Sequence, residues 1–202
     1  MKKSQSPDRS CSETEARKII SPDGASALIG IITGGWQDYL DEGRRRSRRT
    51  RAGIVWEAMI ERADEDLKDF DGVSQVSIHG SRAYVLSDRL LMRLKKHDRR
   101  LRTSNVPTAV QRVLAQGYFD GMPDLAHITC GYILDKAEAG IERLVVVRTV
   151  RGKPIWHFDL RDLAAGNLVP PQPILPGIDG SDDIAPLPSI RRRAKDAEGE
   201  DQ

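Results

Sequence analysis

The chain has 202 residues, of which 39% are hydrophobic and 31% are charged, and its formal net charge is +2. This length fits one domain with extended ends, and so small a net charge excludes any argument for nucleic acid or a membrane from total charge alone. Two cysteines do not indicate a disulfide framework. The first residues lack an apolar signal segment, and no apolar run approaches about 18 residues. We therefore expect a cytoplasmic protein with no membrane partner.

The two ends of the sequence differ in composition from its middle. Residues 1–33 predict a flexible lead, in which one apolar patch, "SALIGII", lies between glycines and could dock as a short strand or helix. Residues 167–202 contain "PPQPILPG" and "APLP" and end in a charged segment. Proline removes backbone donors and restrains φ, so this part predicts a Pro-rich, charged tail. The predicted domain is a single one, covering residues 34–166.

Residues 50–70 predict the long N-terminal helix of this domain. Ser47 or Thr50 is suited to cap its start, and Gly72 is suited to a left-handed turn at its end. The apolar positions recur at helical spacing and form one stripe. They are Val55, Met59, Ala63, Leu67 and Phe70.

Six strands follow in two groups of three. The first group covers "VSQVSIH" and "AYVLSDRLLMRLK", with turns predicted at Gly80 and Ser81 and again at Ser87 and Asp88. A short helix is predicted over residues 109–117, capped by Thr108, and the second group is "AHITCGYIL", "IERLVVVRTV" and "KPIWHFDL". The order of elements favours an α+β fold with a mainly antiparallel sheet over a repeating βα fold.

Positive charge is concentrated in two runs, "GRRRSRRTR" before the long helix and "DRLLMRLKKHDRRLR" around the third strand. Guanidinium groups match phosphate oxygens in pairs, and lysine adds a point charge, so both runs on one face would bind DNA or RNA. The predicted contacts are Arg44, Arg45, Arg46, Arg48, Arg49, Arg93, Lys95, Lys96, Arg99, Arg100 and Arg102. The following helix start, "NVPTAVQ", could bind an anion as well. Alternatively, the runs are solvated and balanced by the acidic helix.

A metal-dependent nuclease is a weaker interpretation. It would need clustered carboxylates and a lysine, and the candidates are Glu57 or Glu61, Asp88, and Lys95 or Lys96. These positions partly resemble a restriction-endonuclease-like core. The position two residues before the lysine is Arg93 or Leu94 instead of a carboxylate, so a divalent cation would be poorly held.

The histidines suggest two further sites, and neither pattern is complete. His157 and Asp159 share a face of a predicted strand and could form an acid–base pair, although an edge-strand hydrogen bond explains the spacing better. His127 and Cys130 lack the second ligand pair of a zinc site. No nucleophile elbow, P-loop or zincin motif occurs. We therefore predict no catalytic residue, no metal and no cofactor.

Three stretches, "LLMRLKKHDRRLRTSNVPTAVQ", "PDLAHITCGYILDKAEAGIERLVVV" and "WHFDLRDLA", resemble a family of small uncharacterised bacterial proteins. The likeness covers residues 43–166. That family is associated with prophages and mobile elements, near helix-turn-helix regulators. The resemblance implies a bacterial, intracellular context and assigns no role to any individual residue.

The sequence thus favours a non-enzymatic protein that binds a polyanion, nucleic acid above all, or has a regulatory role in a mobile-element context. One alternative is an accessory subunit of a helix-turn-helix regulator, which would use the acidic helix face or the Pro-rich tail. The other is a divergent or degenerate metal-dependent nuclease. The pattern does not indicate an oligomeric state.

Overall fold

A computed structural model describes residues 11–44, 46–78, 80–103, 125–150, 153–166 and 190–192. The helices in these ranges are α1 (Glu13–Asp41), α2 (Arg48–Asp66) and α3 (Leu160–Ala164), and a 3₁₀ turn (Leu67–Asp69) continues α2. The strands are β1 (Phe70–Asp71), β2 (Val73–Ile78), β3 (Ser81–Leu86), β4 (Leu90–His97), β5 (Ala126–Leu134), β6 (Ile141–Val150), β7 (Lys153–Asp159) and β8 (Arg191–Arg192).

Strands β2 to β7 form one six-stranded sheet whose spatial order follows the sequence. Every neighbouring pair is antiparallel except β4 and β5, which run parallel. Parallel neighbours need a crossover connection, and here it spans residues 98–125. The predicted α+β class with a mainly antiparallel six-stranded sheet is therefore confirmed. The predicted helix over residues 109–117, its cap at Thr108 and the "NVPTAVQ" anion site lie outside the described residues.

The turns of the first three strands show how local residues set the register. Ser87 and Asp88 both have positive φ, 50° and 52°, as the predicted turn between β3 and β4 requires. Ser81 pairs with Ile78, so it belongs to β3, and the predicted turn at Gly80 and Ser81 is shifted. Gly72 has a φ of 74° but lies between β1 and β2. It therefore does not end the helix.

Helix α1 corrects the predicted flexible lead and the predicted domain start at residue 34. Residues 13–33 are helical, and α1 continues through that boundary to Asp41. Its apolar side chains recur three or four positions apart and are buried against the sheet, as expected for one face of a helix. They are Ala16, Ile19, Ile20, Ala25, Leu28, Ile31, Ile32, Trp36 and Tyr39.

The stretch "SPDG" is a kink and a second helix start, although it has the composition of a loop. Ser21 has φ 60° and ψ 163°, which is not helical. Its hydroxyl accepts a hydrogen bond from the Gly24 N–H at 3.3 Å, and Pro22 takes the position after the cap. Serine at the N-cap and proline at the first helical position are the preferred residues of a helix start. The chain therefore bends here and continues as a helix.

The C-terminal part of the chain returns to the domain at Ile190, within the predicted tail. The Ile190 N–H donates to the Ile19 carbonyl at 3.0 Å, and the Ser21 hydroxyl donates to the Ile190 carbonyl at 3.1 Å. The Ile190 side chain is 1% exposed, and β8 after it pairs with β1. The predicted tail is therefore packed on the domain at this point, and residues 167–189 and 193–202 lie outside the described residues.

The two faces of the sheet have different surroundings. One, which we call the helix face, packs its apolar residues into a single core with α1, α2 and α3. On β4 the helix face carries Leu90, Met92, Leu94 and Lys96, because successive side chains alternate in direction. The opposite, second face carries Leu91, Arg93, Lys95 and His97 on the same strand. None of the helices in the described parts is both long and apolar enough to cross a bilayer.

Candidate functional site

The two basic runs meet at Glu138, in the turn between β5 and β6. One oxygen of its carboxylate lies 3.0 Å from Arg48 Nε and also accepts a hydrogen bond from Arg51 Nη2. Its other oxygen lies 3.5 Å from Lys96 Nζ. Arg48 and Arg51 come from the first run and Lys96 from the second. We call these four residues the Glu138 cluster, in which one carboxylate faces three cations.

The start of α2 explains why a carboxylate is held at this place. Ser47 caps the helix through the Thr50 N–H at 3.2 Å, and no acidic residue lies in the first turn. The free N–H groups and the macrodipole make this end positive, and the arginines add to it. The hydrogen bond from Arg51, followed by the charges of Lys96, Arg51 and Arg48, keeps the pKa of Glu138 below its usual value.

Arg51 also joins the cluster to the core. Its guanidinium carbon lies 5.9 Å from the centre of the Trp36 ring, and Trp36 contacts Tyr132 on β5 at 6.0 Å between ring centroids. The arginine thus links α2, α1 and the sheet. The sequence includes Arg51 only as a member of the first basic run, and it does not place Glu138 in the site. "KAEAG" has the composition of an ordinary connector, and no local signal distinguishes its glutamate.

Three of the remaining predicted contacts are paired with nearby carboxylates. Arg46 lies 4.0 Å from Glu42, Arg99 lies 2.6 Å from Glu142, and Arg102 lies 2.9 Å from Asp98. Arg44, Arg49 and Arg100 are exposed, and Arg45 lies outside the described residues. These carboxylates come from loops and from β6. These pairs therefore do not show the predicted balancing of the basic runs by the acidic helix.

Arg93 and Lys95 lie apart from the Glu138 cluster, on the second face. Arg93 is opposite Thr129 of β5, and Lys95 is opposite Gly131. Arg93 is only 9% exposed, and its Nε atom is buried without a hydrogen-bond partner among the described residues. Lys95 and Lys96 therefore cannot contact one ligand together, because neighbouring side chains of a strand leave opposite faces. The cations that were predicted to form one surface are therefore divided between the two faces of the sheet.

His97 is the third polar residue of β4 on the second face. It is 1% exposed, and its Nε2 atom lies 2.9 Å from the Thr129 hydroxyl, which is 3.4 Å from the Val147 carbonyl. The Nδ1 atom of His97 is buried and has no hydrogen-bond partner in the part of the chain that the structure describes. Because Thr129 is level with Arg93, the imidazole leans back along the sheet toward the arginine.

Burial lowers the pKa values of Arg93, Lys95 and His97 on the second face. Burial lowers the pKa of Lys95 to about 8, and the neighbouring charge of Arg93 adds to this. Burial also lowers the pKa of His97 to about 4, against a smaller opposing effect of Asp98, so the imidazole is neutral at pH 7. The pKa of Arg93 is lowered by burial as well. In each case removal from water disfavours the charged form.

The acid–base, zinc and nuclease candidates do not form sites in the described residues. Asp159 caps α3 by accepting from the Arg161 N–H at 3.0 Å and lies 3.7 Å from Arg143. His127 and Cys130 are three apart on β5, so they leave opposite faces. Within the described ranges no group of three or more His, Cys, Asp or Glu residues could hold a metal ion. Asp88, Glu57 and Glu61 are exposed.

Comparison of the chain with protein-family models, with curated proteins and with solved structures found no match. The interpretation of the site therefore rests on its own geometry: a positive surface group around Glu138 and a buried cationic group on the second face.

Proposed function

We propose that this protein is a non-enzymatic binder of nucleic acid, which it contacts at the Glu138 cluster and the adjoining link between α1 and α2. The observation that supports this function is the meeting of Arg48, Arg51 and Lys96 at one carboxylate. Cations from two separate basic runs outnumber the anion there. A phosphate backbone would supply further negative charge.

Exposed arginines beside the cluster extend the proposed surface. Arg44 and Arg49 lie in the same link and first turn, and both are exposed. An arginine side chain at this end of α2 adds to the positive potential of the helix start, so a nearby phosphate is favoured. Binding of this kind releases counterions and weakens steeply as salt rises. We expect little dependence on nucleotide sequence, because these contacts would be to phosphates.

Fluorescence anisotropy with a labelled DNA duplex and a labelled RNA strand tests this function. Arg48→Gln and Arg49→Gln together should weaken binding at low salt and reduce the slope of log affinity against log salt by about 1 to 2. Lys68→Gln is the matched control, since it removes one positive charge just past the other end of α2, about 28 Å away. It should change neither quantity.

Two results would remove the proposal. One is that neither nucleic acid associates with the wild-type protein at about 50 mM salt, where phosphate contacts are strong. The other is that the arginine pair, which removes two charges, changes binding only about twice as much as Lys68→Gln, which removes one, because that ratio would mean that only net charge matters. The resemblance to mobile-element proteins makes bacterial, cytoplasmic DNA or RNA the proposed ligand. The salt dependence tests whether the protein contacts the phosphates of that ligand.

A second candidate function is that of an accessory subunit of a helix-turn-helix regulator. Glu57, Glu61 and Glu65 recur every four residues on α2, and all three are exposed, so they form an acidic stripe suited to a basic partner. Triple Gln substitution of this stripe would abolish co-purification with such a regulator and leave nucleic-acid binding intact. The nuclease alternative predicts magnesium-dependent cleavage that Asp88→Ala abolishes.

A further inference from the structure

The second face of the sheet contains charged groups that the nucleic-acid surface does not use. Arg93 and Lys95 are two residues apart on β4, on the same side, so their Cα atoms are about 6.6 Å apart. Strand β4 lies inside the sheet, between β3 and β5. Two long cationic side chains therefore leave one buried strand side by side, and both can reach one tetrahedral oxyanion.

The protein's own described carboxylates do not neutralise this pair. Among the paired residues of β2 to β7, the carboxylate on this face is Asp159 on β7, which is separated from β4 by β5 and β6. Asp159 is already engaged by Arg143 and by the N–H of Arg161. A buried guanidinium with a bare Nε–H is unfavourable without an acceptor. The fold thus maintains a desolvated cation that an external anion would stabilise.

His97 and Thr129 complete a polar border for such an anion. The Thr129 hydroxyl has one proton and two neighbours, His97 Nε2 at 2.9 Å and the Val147 carbonyl at 3.4 Å. The buried His97 Nδ1 carries either a lone pair or a proton, according to where that hydroxyl points. An oxyanion with a hydroxyl group, such as hydrogen phosphate, can donate to the first form and accept from the second.

We propose that Arg93 and Lys95, bordered by His97 and Thr129, form a binding site for a small oxyanion: inorganic phosphate, or the phosphate or carboxylate group of a small molecule. This site lies on the opposite side of β4 from Lys96 and the Glu138 cluster. It is therefore separate from the proposed nucleic-acid surface. Guanidinium and ammonium groups are the usual ligands of such oxyanions, and burial strengthens their hydrogen bonds.

Thermal unfolding with inorganic phosphate and, in parallel, with acetate tests the site and separates the two ligand chemistries. Phosphate should raise the unfolding temperature of the wild type, and above the dissociation constant the shift should grow with the logarithm of the phosphate concentration. Arg93→Gln and Lys95→Gln should each weaken this binding about 10- to 100-fold, since each removes a charged hydrogen-bond donor. Lys153→Gln, at an exposed position of β7, is the matched control and should retain wild-type binding.

Two further measurements distinguish the loss of this site from a loss of folding and from a failure of the proposed function. Without phosphate, Arg93→Gln should be as stable as the wild type or more so, because the desolvated charge is gone. The variant carrying both Arg48→Gln and Arg49→Gln should lose nucleic acid and still bind phosphate. If it lost both ligands, the two sites would be one and the present inference would fail.

An internal carboxylate is the rival occupant. The sequence between Thr103 and Leu125, outside the described residues, contains Asp120 and Asp124. If one of them neutralises Arg93, then phosphate and acetate will have no effect at about 10 mM. Asp120→Asn or Asp124→Asn will then destabilise the wild type and leave Arg93→Gln unchanged. That pattern would overturn the oxyanion site, whereas independent effects of the two changes together with phosphate binding support it.

Discussion

Lys95 and Lys96 are neighbours on β4, and their ammonium groups lie on opposite faces of the sheet. Lys96 lies 3.5 Å from Glu138 and shares that carboxylate with Arg48 and Arg51. Lys95 is paired with no described carboxylate and stands beside the buried Arg93, and its pKa is lowered to about 8. Two residues that contribute equally to a charge count therefore have different energetic roles.

The comparison shows that removal from water affects the energetics of a cationic side chain, and the ligand that it favours, more than its formal charge does. Near the Glu138 cluster, water and a carboxylate stabilise the positive groups, so a ligand competes with existing partners. On the second face, desolvation has already been imposed by folding, and a suitable anion meets cations that lack carboxylate partners among the described residues. The first arrangement suits a long polyanion that exchanges with salt. The second suits a small ligand that fits one place.

The largest effect is expected at Gly131, which lies opposite Lys95. A Cβ atom there would overlap the Lys95 carbonyl oxygen. Gly131→Ala should therefore separate β5 from β4, disturb both lysines and lower the free energy of unfolding by about 3 kcal/mol. Urea unfolding measures this. Gly53→Ala, at an exposed position of α2 with no atom within 4 Å of the new Cβ, should instead add about 0.5 to 1 kcal/mol. Equal stability of Gly131→Ala and wild type would contradict the close approach.

The second effect is a pH dependence specific to the second face. His97 has a folded pKa of about 4 against an ordinary value of 6.5, so the unfolded chain binds the proton first as pH falls. The free energy of unfolding should decrease between pH 6.5 and 4, by up to about 3 kcal/mol.

His97→Gln should remove this contribution, as urea unfolding at several pH values would show. His157→Gln, at an exposed position of β7, is the control and should keep the wild-type profile. An unchanged slope in the His97 variant would mean that this imidazole titrates as it does in water.

The third prediction compares the two lysines directly. In a buffer without phosphate at pH 7, Lys95→Met should raise the free energy of unfolding by about 1 kcal/mol, because a desolvated charge is removed. Lys96→Met should lower it by about 0.5 kcal/mol, because an ion pair is lost.

The pH dependence sharpens the contrast. Between pH 8 and 10.5 the unfolded chain still holds a proton that the folded Lys95 has released, so wild-type stability should rise with pH. Lys95→Met should lack this rise, and Lys96→Met should retain it. Unfolding temperatures across this range check both, and effects of the same sign in the two variants would refute the assigned faces.

The smallest effect concerns the carboxylate that the basic runs share. Glu138→Gln should lower the free energy of unfolding by only about 0.5 kcal/mol, and added salt should reduce this loss. The same change leaves Arg48, Arg51 and Lys96 without their anion, so affinity for nucleic acid should rise about two- to threefold. Anisotropy titrations measure the second quantity. A fall in affinity would show that the cluster does not contact the nucleic acid.

Periodic patterns made much of the fold predictable. The stripe that begins with Val55, Met59 and Ala63 identified α2, although Phe70 at its end lies in β1. The alternation of side chains along a strand explains why Arg93 and Lys95 share a side. Helix α1 was missed although its apolar spacing is helical, because Pro22 and Gly24 have the composition of a loop. Ser21 and Pro22 in fact form a helix start. That interpretation required knowing that Ile19 and Leu28 pack on the same core.

The candidate sites were less predictable, since they depend on contacts between distant residues. Glu138 is 90 residues from Arg48 in sequence, and only the fold brings the β5–β6 turn to the start of α2. Nor does any local pattern say that β4 pairs with β5 in parallel, which places Thr129 beside Arg93. For the same reason, the sequence does not show that Ile190 packs at the α1 kink.

By itself the sequence determined the class of fold, the six-stranded sheet and the two concentrations of positive charge, because periodicity and composition act over a few neighbouring residues. Only the tertiary structure decided which cations meet a carboxylate and which are withdrawn from water. Burial and pairing are properties of residues far apart in the chain, and the free energy of a charge depends on them more than on its place in the sequence.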